Sequence, residues 1–406
     1  MKKRRKKKKN IYKMLICTMI ICIVVLIVEV VYIGYTYRDK PIYFDGINAL
    51  ISSSKGYVTV GSNNNNESYL EKAKITKYNS KKEKQFEKIY NKGLNGVFFD
   101  VLEDQNGNLI AVGSYESSDK DHLEGNRVGL IVKYDKDGNL VYENSYRVLD
   151  NTKFISVDLV DDGYVVCGQS VYDSMMVGLS KDGGSVIVKY DDKLEVEWNN
   201  NYGDNKASSY NDILVHDNYI YAVGVTDSIY GILSKYDFDG NEISTVKYLN
   251  TDNLGFTGIA LFDNMLLVSG ATLEDNNKSD ALLVKYDMNL NVANKVVYSD
   301  KNFERFNQIL VDKHNNVIVV GTSAKLDNSN NERVNVYVHN GLIGKYDKNL
   351  EKVSVIEYGD DRDDYFTDII ISDSNYLVSG YSSYEDGSYL SKFITYSDAL
   401  KILEVE

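Results

Sequence analysis

The residues of this 406-residue chain that could do chemistry are few and scattered. Its four histidines are His122, His216, His314 and His339, and none lies near another, an acid-flanked serine elbow or a phosphate-cradling glycine loop. A catalytic triad or a zinc site therefore has no backing in the sequence. Carboxylates are plentiful. Asp135-Lys136-Asp137-Gly138-Asn139 and Asp237-Phe238-Asp239-Gly240-Asn241 set two acids two residues apart, a spacing that could offer oxygens to calcium. They lack the third oxygen ligand and the distal Glu of an EF-hand loop, so they read as hairpin turns. The cluster Asp360, Asp361, Asp363 and Asp364 reads as a solvated charge run, with a loosely held cation as the alternative. No cofactor is expected, calcium being the one alternative. Of the three cysteines, Cys17 and Cys22 lie in an apolar run, so the rest of the chain cannot form an internal disulfide. Cys167, within Tyr164-Val165-Val166-Cys167-Gly168, reads as a buried small hydrophobe.

The apolar run spans residues 14–37 and carries a single charge, Glu29. Twenty-four residues at about 1.5 Å each cross a hydrocarbon core. The run reads as a transmembrane helix. A cleaved signal peptide competes, since the wholly apolar part from Met14 to Val28 is short, but no small-x-small cleavage site follows it. Eight consecutive basic residues, Lys2 to Lys9, hold the N-terminus on the cytoplasmic side. Tyr32, Tyr35 and Tyr37 suit the outer interface. Nine of the 46 basic residues and one of the 59 acidic ones fall in the first 37 positions, so the remainder carries −21, not the −13 of the whole chain. Such an acidic body excludes nucleic acid as a partner, and the basic tail is explained by topology and anionic lipid heads. The expected location is the plasma membrane, single-pass, with the body outside the cell.

That body is one unit repeated seven times. A short β-rich run ends in Gly61, Gly113, Gly168, Gly224, Gly270, Gly321 and Gly380. A second, apolar run leads to Lys-Tyr at Tyr78, Tyr134, Tyr190, Tyr236, Tyr286 and Tyr346, with a degenerate seventh copy at Tyr396. An aromatic (Phe98, Phe154, Tyr210, Phe256, Phe306, Phe366) follows each of those six tyrosines by 20 residues. From Tyr to the next Gly the spacing is 34 or 35, whereas from Gly to Tyr it ranges from 12 to 25. All length variation is thus confined to one loop per unit.

Each unit holds four extended runs, here a, b, c and d, joined by turns with hairpin chemistry such as Asp161-Asp162-Gly163. Four antiparallel strands at a period near fifty, with no helical periodicity, predict an all-β fold, a seven-bladed β-propeller preceded by one transmembrane helix. The expected organisation is a basic tail at 1–13, the helix at 14–37, a linker at 38–43 and the propeller at 44–406. Its blades span approximately 44–91, 95–148, 153–203, 209–250, 255–299, 305–359 and 365–406. Pro41-Ile42-Tyr43 could pair with the final blade.

Asp162-Gly163-Tyr164-Val165-Val166-Cys167-Gly168, Ile187-Val188-Lys189-Tyr190-Asp191 and Trp198-Asn199-Asn200-Asn201-Tyr202-Gly203 resemble the tandem repeats of secreted and surface-anchored bacterial β-propellers. The resemblance covers nearly the whole body. It implies a propeller at a cell surface and names no activity. The chain departs from the repeat in keeping the d-run Trp only at Trp198 and in lacking Lys-Tyr-Asp in its seventh c run.

In such a blade the b–c and d–a connections share one face, and the a–b and c–d hairpins the other. The variable b–c loops make the first of these the expected binding surface for a protein or cell-surface glycan, because loops on a rigid scaffold carry recognition. Candidate contact residues are Tyr115, Asp119, Asp121, His122, Tyr172, Asp173, Arg333, Tyr337 and His339, where aromatics mix with carboxylates. The alternative is a hydrolase or lyase with a carboxylate-based site at the central channel. No residue is assigned a catalytic or metal-binding role, and an enzyme is not the favoured reading.

Overall fold

The computed structural model describes residues 43–64, 70–117, 127–171, 183–202, 208–227, 229–248, 253–274, 278–300, 303–327, 336–360 and 362–406. No helix among the described residues is long and apolar enough to cross a membrane, and the apolar run at 14–37 lies outside them. Residues Tyr43–Glu406 form one compact unit.

The described residues form 28 strands in seven four-stranded antiparallel sheets, each ordered a-b-c-d. The sheets run over Asp45–Tyr90, Leu94–Tyr146, Asn151–Tyr202, Ser209–Tyr248, Asn253–Tyr298, Phe303–Tyr358 and Asp364–Val405. Each a strand packs against the next, and the seventh (Asp364–Ser372) packs back onto the first (Asp45–Ser53). The protein is a seven-bladed β-propeller with its a strands around the channel. All four strands of the seventh blade come from the C-terminal part of the chain. Of the expected N-terminal pairing, Tyr43 and Phe44 take part: Tyr389 N donates to Tyr43 O at 2.8 Å, and Phe44 bridges Tyr389 in parallel.

The recurring residues of the repeat are those that build the joints between blades. Every a strand carries a β-bulge one residue after its landmark, at Asn48, Phe99, Ile155, Asn211, Thr257, Asn307 and Thr367. The strand is thereby pushed onto strand b. A Cβ at Gly168 would stand 1.9 Å from the Lys153 carbonyl oxygen, and one at Gly321 1.9 Å from that of Arg305. Only glycine fits there. Five of the six a-strand aromatics, all but Phe98, pack between a d-strand tyrosine of the preceding blade and the c-strand tyrosine of their own. Phe154 lies 5.8 Å from Tyr146 and 6.2 Å from Tyr190, and Phe366 lies 5.7 Å from Tyr358 and 6.3 Å from Tyr396.

In blades 2 and 6 the lysine of Lys-Tyr latches the blade to the next at the hairpin end. Lys133, 4% exposed, reaches Asp192 of the next blade at 2.5 Å and lies 5.4 Å from the Tyr164 ring, whose hydroxyl donates to Asp104 at 3.2 Å. Lys345 repeats this with Asp398, Tyr376 and Asp312. Trp198 donates to the Phe238 carbonyl of the next blade at 2.9 Å. Cys167 is fully buried and unpaired, a small hydrophobe in the core.

Candidate functional site

The turn carboxylates are consumed by their own turns. Asp135 Oδ1 accepts from the N–H groups of Asp137 and Asn139, and its Oδ2 from the Asn139 amide. Asp237 does the same with Asp239 and Asn241. These are Asx-stabilised hairpin turns. Among the described residues no three His, Cys, Asp or Glu side chains come together to hold a metal ion.

The channel wall presents a second set of acids, which the sequence analysis did not single out: Asp100, Asp158, Asp212 and Asp368. Asp100, Asp212 and Asp368 all stand two residues after the landmark, just beyond the bulge. Each accepts from the backbone N–H that follows it and from one on the neighbouring blade: Asp100 from Val101 and Val157, Asp212 from Ile213 and Ile259, Asp368 from Ile369 and Leu50. Asp158 bridges Leu159 and Val215 in the same way. They staple the inner strands of adjacent blades. Burial raises all four carboxyls, with Asp158 pushed up to about 6, Asp212 to about 7 and Asp368 to about 8; for these three, neighbouring channel acids raise them further. Ser156 Oγ lies 2.9 Å from both Asp100 Oδ2 and Asp212 Oδ1. A hydroxyl has one hydrogen, so this chain of contacts is complete only when one carboxyl holds a proton.

On the loop face, Asp119, Asp121, His122, Tyr172, Asp173 and Arg333 lie outside the described residues. Tyr115 does not stand on the surface expected for it. It is 5% exposed, donates to or accepts from Ser145 Oγ at 2.9 Å and packs 6.1 Å from Tyr90, because its strand continues the core pattern past Gly113. Tyr337 packs edge-on against Phe303 at 5.1 Å. His339 is tied into a polar and aromatic cluster: its Nδ1 lies 3.0 Å from Asp363 Oδ1 and 2.8 Å from the Tyr365 hydroxyl. The Tyr365 ring stacks at 4.9 Å on both His339 and Tyr381. The expected solvated run at 360–364 holds for Asp360, which is exposed, and is corrected for Asp363 and Asp364, which are drawn into the fold. Asp360 pairs with Arg362 at 3.1 Å, Asp363 contacts His339, and Asp364 accepts from Ser382 and from Lys392 at 3.3 Å.

Beside this cluster, between blades 6 and 7, opens a notch of about 390 Å³. The end of blade 6 supplies Glu357, Tyr358 and the d–a residues Gly359, Asp360 and Arg362. Blade 7 supplies Asp364, Ser382, Ser383, Tyr384 and Lys392. Lys392 lines the notch at a position that is aliphatic in most blades. The residue opposite the b-strand glycine is Leu130, Val186, Ile232, Leu282 or Leu342 in five blades, but Lys392 in blade 7 and Lys74 in blade 1. An aliphatic plug has given way to a polar arm, which reaches the Tyr358 hydroxyl at 3.1 Å and Asp364. Burial pushes the Lys392 ammonium down, but Tyr358 and Asp364 outweigh it and leave it raised. This lysine was legible in the sequence as one of two charges, with Lys74, in a column that is apolar in the other five blades. The d–a members were not, because their connection has the common length.

No protein-family model matches the chain, and no curated protein matches its sequence. Solved structures are similar in fold. The acylaminoacyl peptidase of Pyrococcus horikoshii aligns with a TM-score of 0.51 at 12% identity, over 90% of this chain and 52% of that one. The β-propeller domain of the Trilobed protease from Pyrococcus furiosus aligns at 0.49 and 11% identity, over 90% and 95%. Sqt1 from Chaetomium thermophilum aligns at 0.47 and 10% identity, over 87% and 98%. At such identities the likeness is one of fold alone.

Proposed function

We propose that this propeller is a recognition module, anchored in the plasma membrane by residues 14–37 with its basic tail in the cytoplasm and its blades outside. It captures a protein or a cell-surface glycan through the b–c and d–a face. The observation that carries this reading is the notch between blades 6 and 7, where that face departs from the repeat and sets charged, hydroxyl and aromatic groups around an open space. The rival, a hydrolase or lyase at the channel, is disfavoured because the channel carboxylates are engaged by backbone N–H groups of two blades each. The test is capture by the full chain in detergent micelles against an Arg362→Ala, Tyr384→Ala double variant. Loss of capture with an unchanged melting temperature supports the reading; equal capture by both proteins removes the notch from it. Protease accessibility of the propeller on intact cells checks the topology.

A further inference from the structure

We propose that the notch between blades 6 and 7 is a sugar-binding site for a neutral, hydroxyl-rich ring of the hexopyranose kind; this rests on the recognition role given to the loop face. Four observations lead there.

Behind Gly359, which lines the notch, stands a buried acceptor without a partner. Asn340 is 6% exposed, and its Oδ1 has no hydrogen-bond partner, while its Nδ2 donates to Glu357 Oε2 at 3.2 Å and so orients the amide. A buried acceptor without a donor is costly, and a hydroxyl reaching past Gly359 from the notch would supply one. Gly359 leaves the way open. A Cβ there would stand 2.7 Å from Asn340 Oδ1 and 2.9 Å from Asp364 Oδ2.

The charges cancel in pairs: Asp360 with Arg362, Asp364 with Lys392, and Glu357 with Lys325 at 2.5 Å. A phosphate or carboxylate would meet three acids, and a metal ion would meet Arg362 and Lys392. Each pair still has donors or acceptors to spare, since a guanidinium carries five N–H groups and a carboxylate about four acceptor positions. Vicinal hydroxyls, each able to donate and accept, match that mixture. Tyr384 completes the site at the rim. It is 39% exposed, with Arg362 lying 5.8 Å from its ring, and offers an aromatic face to the C–H side of a sugar. Finally, replacing a core aliphatic by the partly buried Lys392–Asp364 pair brings no expected gain in stability, so this departure, shared with Lys74–Asp45 of blade 1, points to a use other than folding.

The experiment is binding of the full chain in detergent micelles to an array of neutral and acidic glycans, followed by calorimetric titration with glucose, galactose and N-acetylglucosamine and their oligosaccharides. A neutral glycan should bind, and Tyr384→Ala and Arg362→Ala should each weaken it about tenfold at an unchanged melting temperature. A Lys392→Val, Asp364→Thr variant, which closes the notch with the residues of blade 3, should abolish it. Silence toward every neutral glycan, binding confined to acidic glycans, or equal binding by the two surface variants overturns the sugar site. A protein partner captured without any glycan overturns the sugar site and leaves the recognition role; loss of both protein and glycan capture overturns both.

Discussion

The joint between blades 2 and 3 and the joint between blades 6 and 7 are built alike at the hairpin end and differently at the loop end. At the hairpin end Lys133, Asp192, Tyr164 and Asp104 match Lys345, Asp398, Tyr376 and Asp312 contact for contact. The aromatic stacks Tyr146–Phe154 and Tyr358–Phe366 also match. At the loop end Val186 and Thr152 of blade 3 are buried, whereas blade 7 has Lys392 and Asp364 and a notch. The repeat thus keeps what holds the ring and varies where nothing in the ring depends on it.

The largest expected effect tests the shared end. Lys133→Ala leaves Asp104 and the Tyr164 hydroxyl in a low-dielectric joint without their cation, and should cost about 3 kcal/mol of unfolding free energy. Lys345→Ala should cost the same within about 1 kcal/mol. Denaturant unfolding of the two variants checks this, and a large difference between them would break the equivalence of the two latches.

The differing end comes next. Lys392→Val with Asp364→Thr gives blade 7 the loop-end residues of blade 3 and should leave stability unchanged or raise it by up to about 2 kcal/mol. A loss of several kcal/mol would mean that the buried pair is a structural part of the joint.

The two joints also differ at the channel. Asp100 staples blade 2 to Val157 of blade 3, whereas Gln308, its counterpart in blade 6, accepts from its own Ile309 N–H at 2.8 Å. Stability should therefore depend on pH through blades 2 to 4 and, through Asp368, at the joint between blades 7 and 1. Asp212, raised to about 7 from 3.8, favours the folded state when protonated. Its contribution is fully present below about pH 4 and is lost as pH rises toward 7. The turn acids act oppositely. Burial pushes Asp104 and Asp312 up, but Asn108, Asn316 and the turn N–H groups outweigh it and leave both lowered, so their contribution is lost as pH falls below about 4. Wild type should be most stable at mildly acidic pH. Asp212→Asn should remove the Asp212 share of the decline between about pH 4 and 7, a change of about 1–2 kcal/mol at pH 8, measured as melting temperature against pH.

The ring was readable because Gly-ending and Lys-Tyr runs recur at fixed spacing, and each position has one mechanical task. The bulge behind each glycine was not readable, since the crowding atom is the carbonyl oxygen of a variable residue such as Lys153 or Arg305. The channel staples escaped because Asp100, Asp212 and Asp368 alternate with Ser156, Gly258, Gln308 and Ala49 in their column, so no pattern marks them. His339 and Tyr337 were expected on the loop face and lie at blade 6, where His339 meets Asp363 of the d–a connection, a contact that only the fold brings about, and Tyr337 packs on Phe303.

The smallest effects separate two tyrosines given the same role by their loops. Tyr115 of blade 2 is buried against Tyr90 and bonded to Ser145, so Tyr115→Phe should cost about 1 kcal/mol, the worth of one hydrogen bond, and leave capture of any partner intact. Tyr337 of blade 6 is partly exposed, with its ring on Phe303. Tyr337→Phe keeps that ring and should change stability by less than about 0.5 kcal/mol. Should Tyr115→Phe instead weaken capture at unchanged stability, the loop end of blade 2 would be part of the recognition surface, and the contrast between the two joints would narrow to the notch alone.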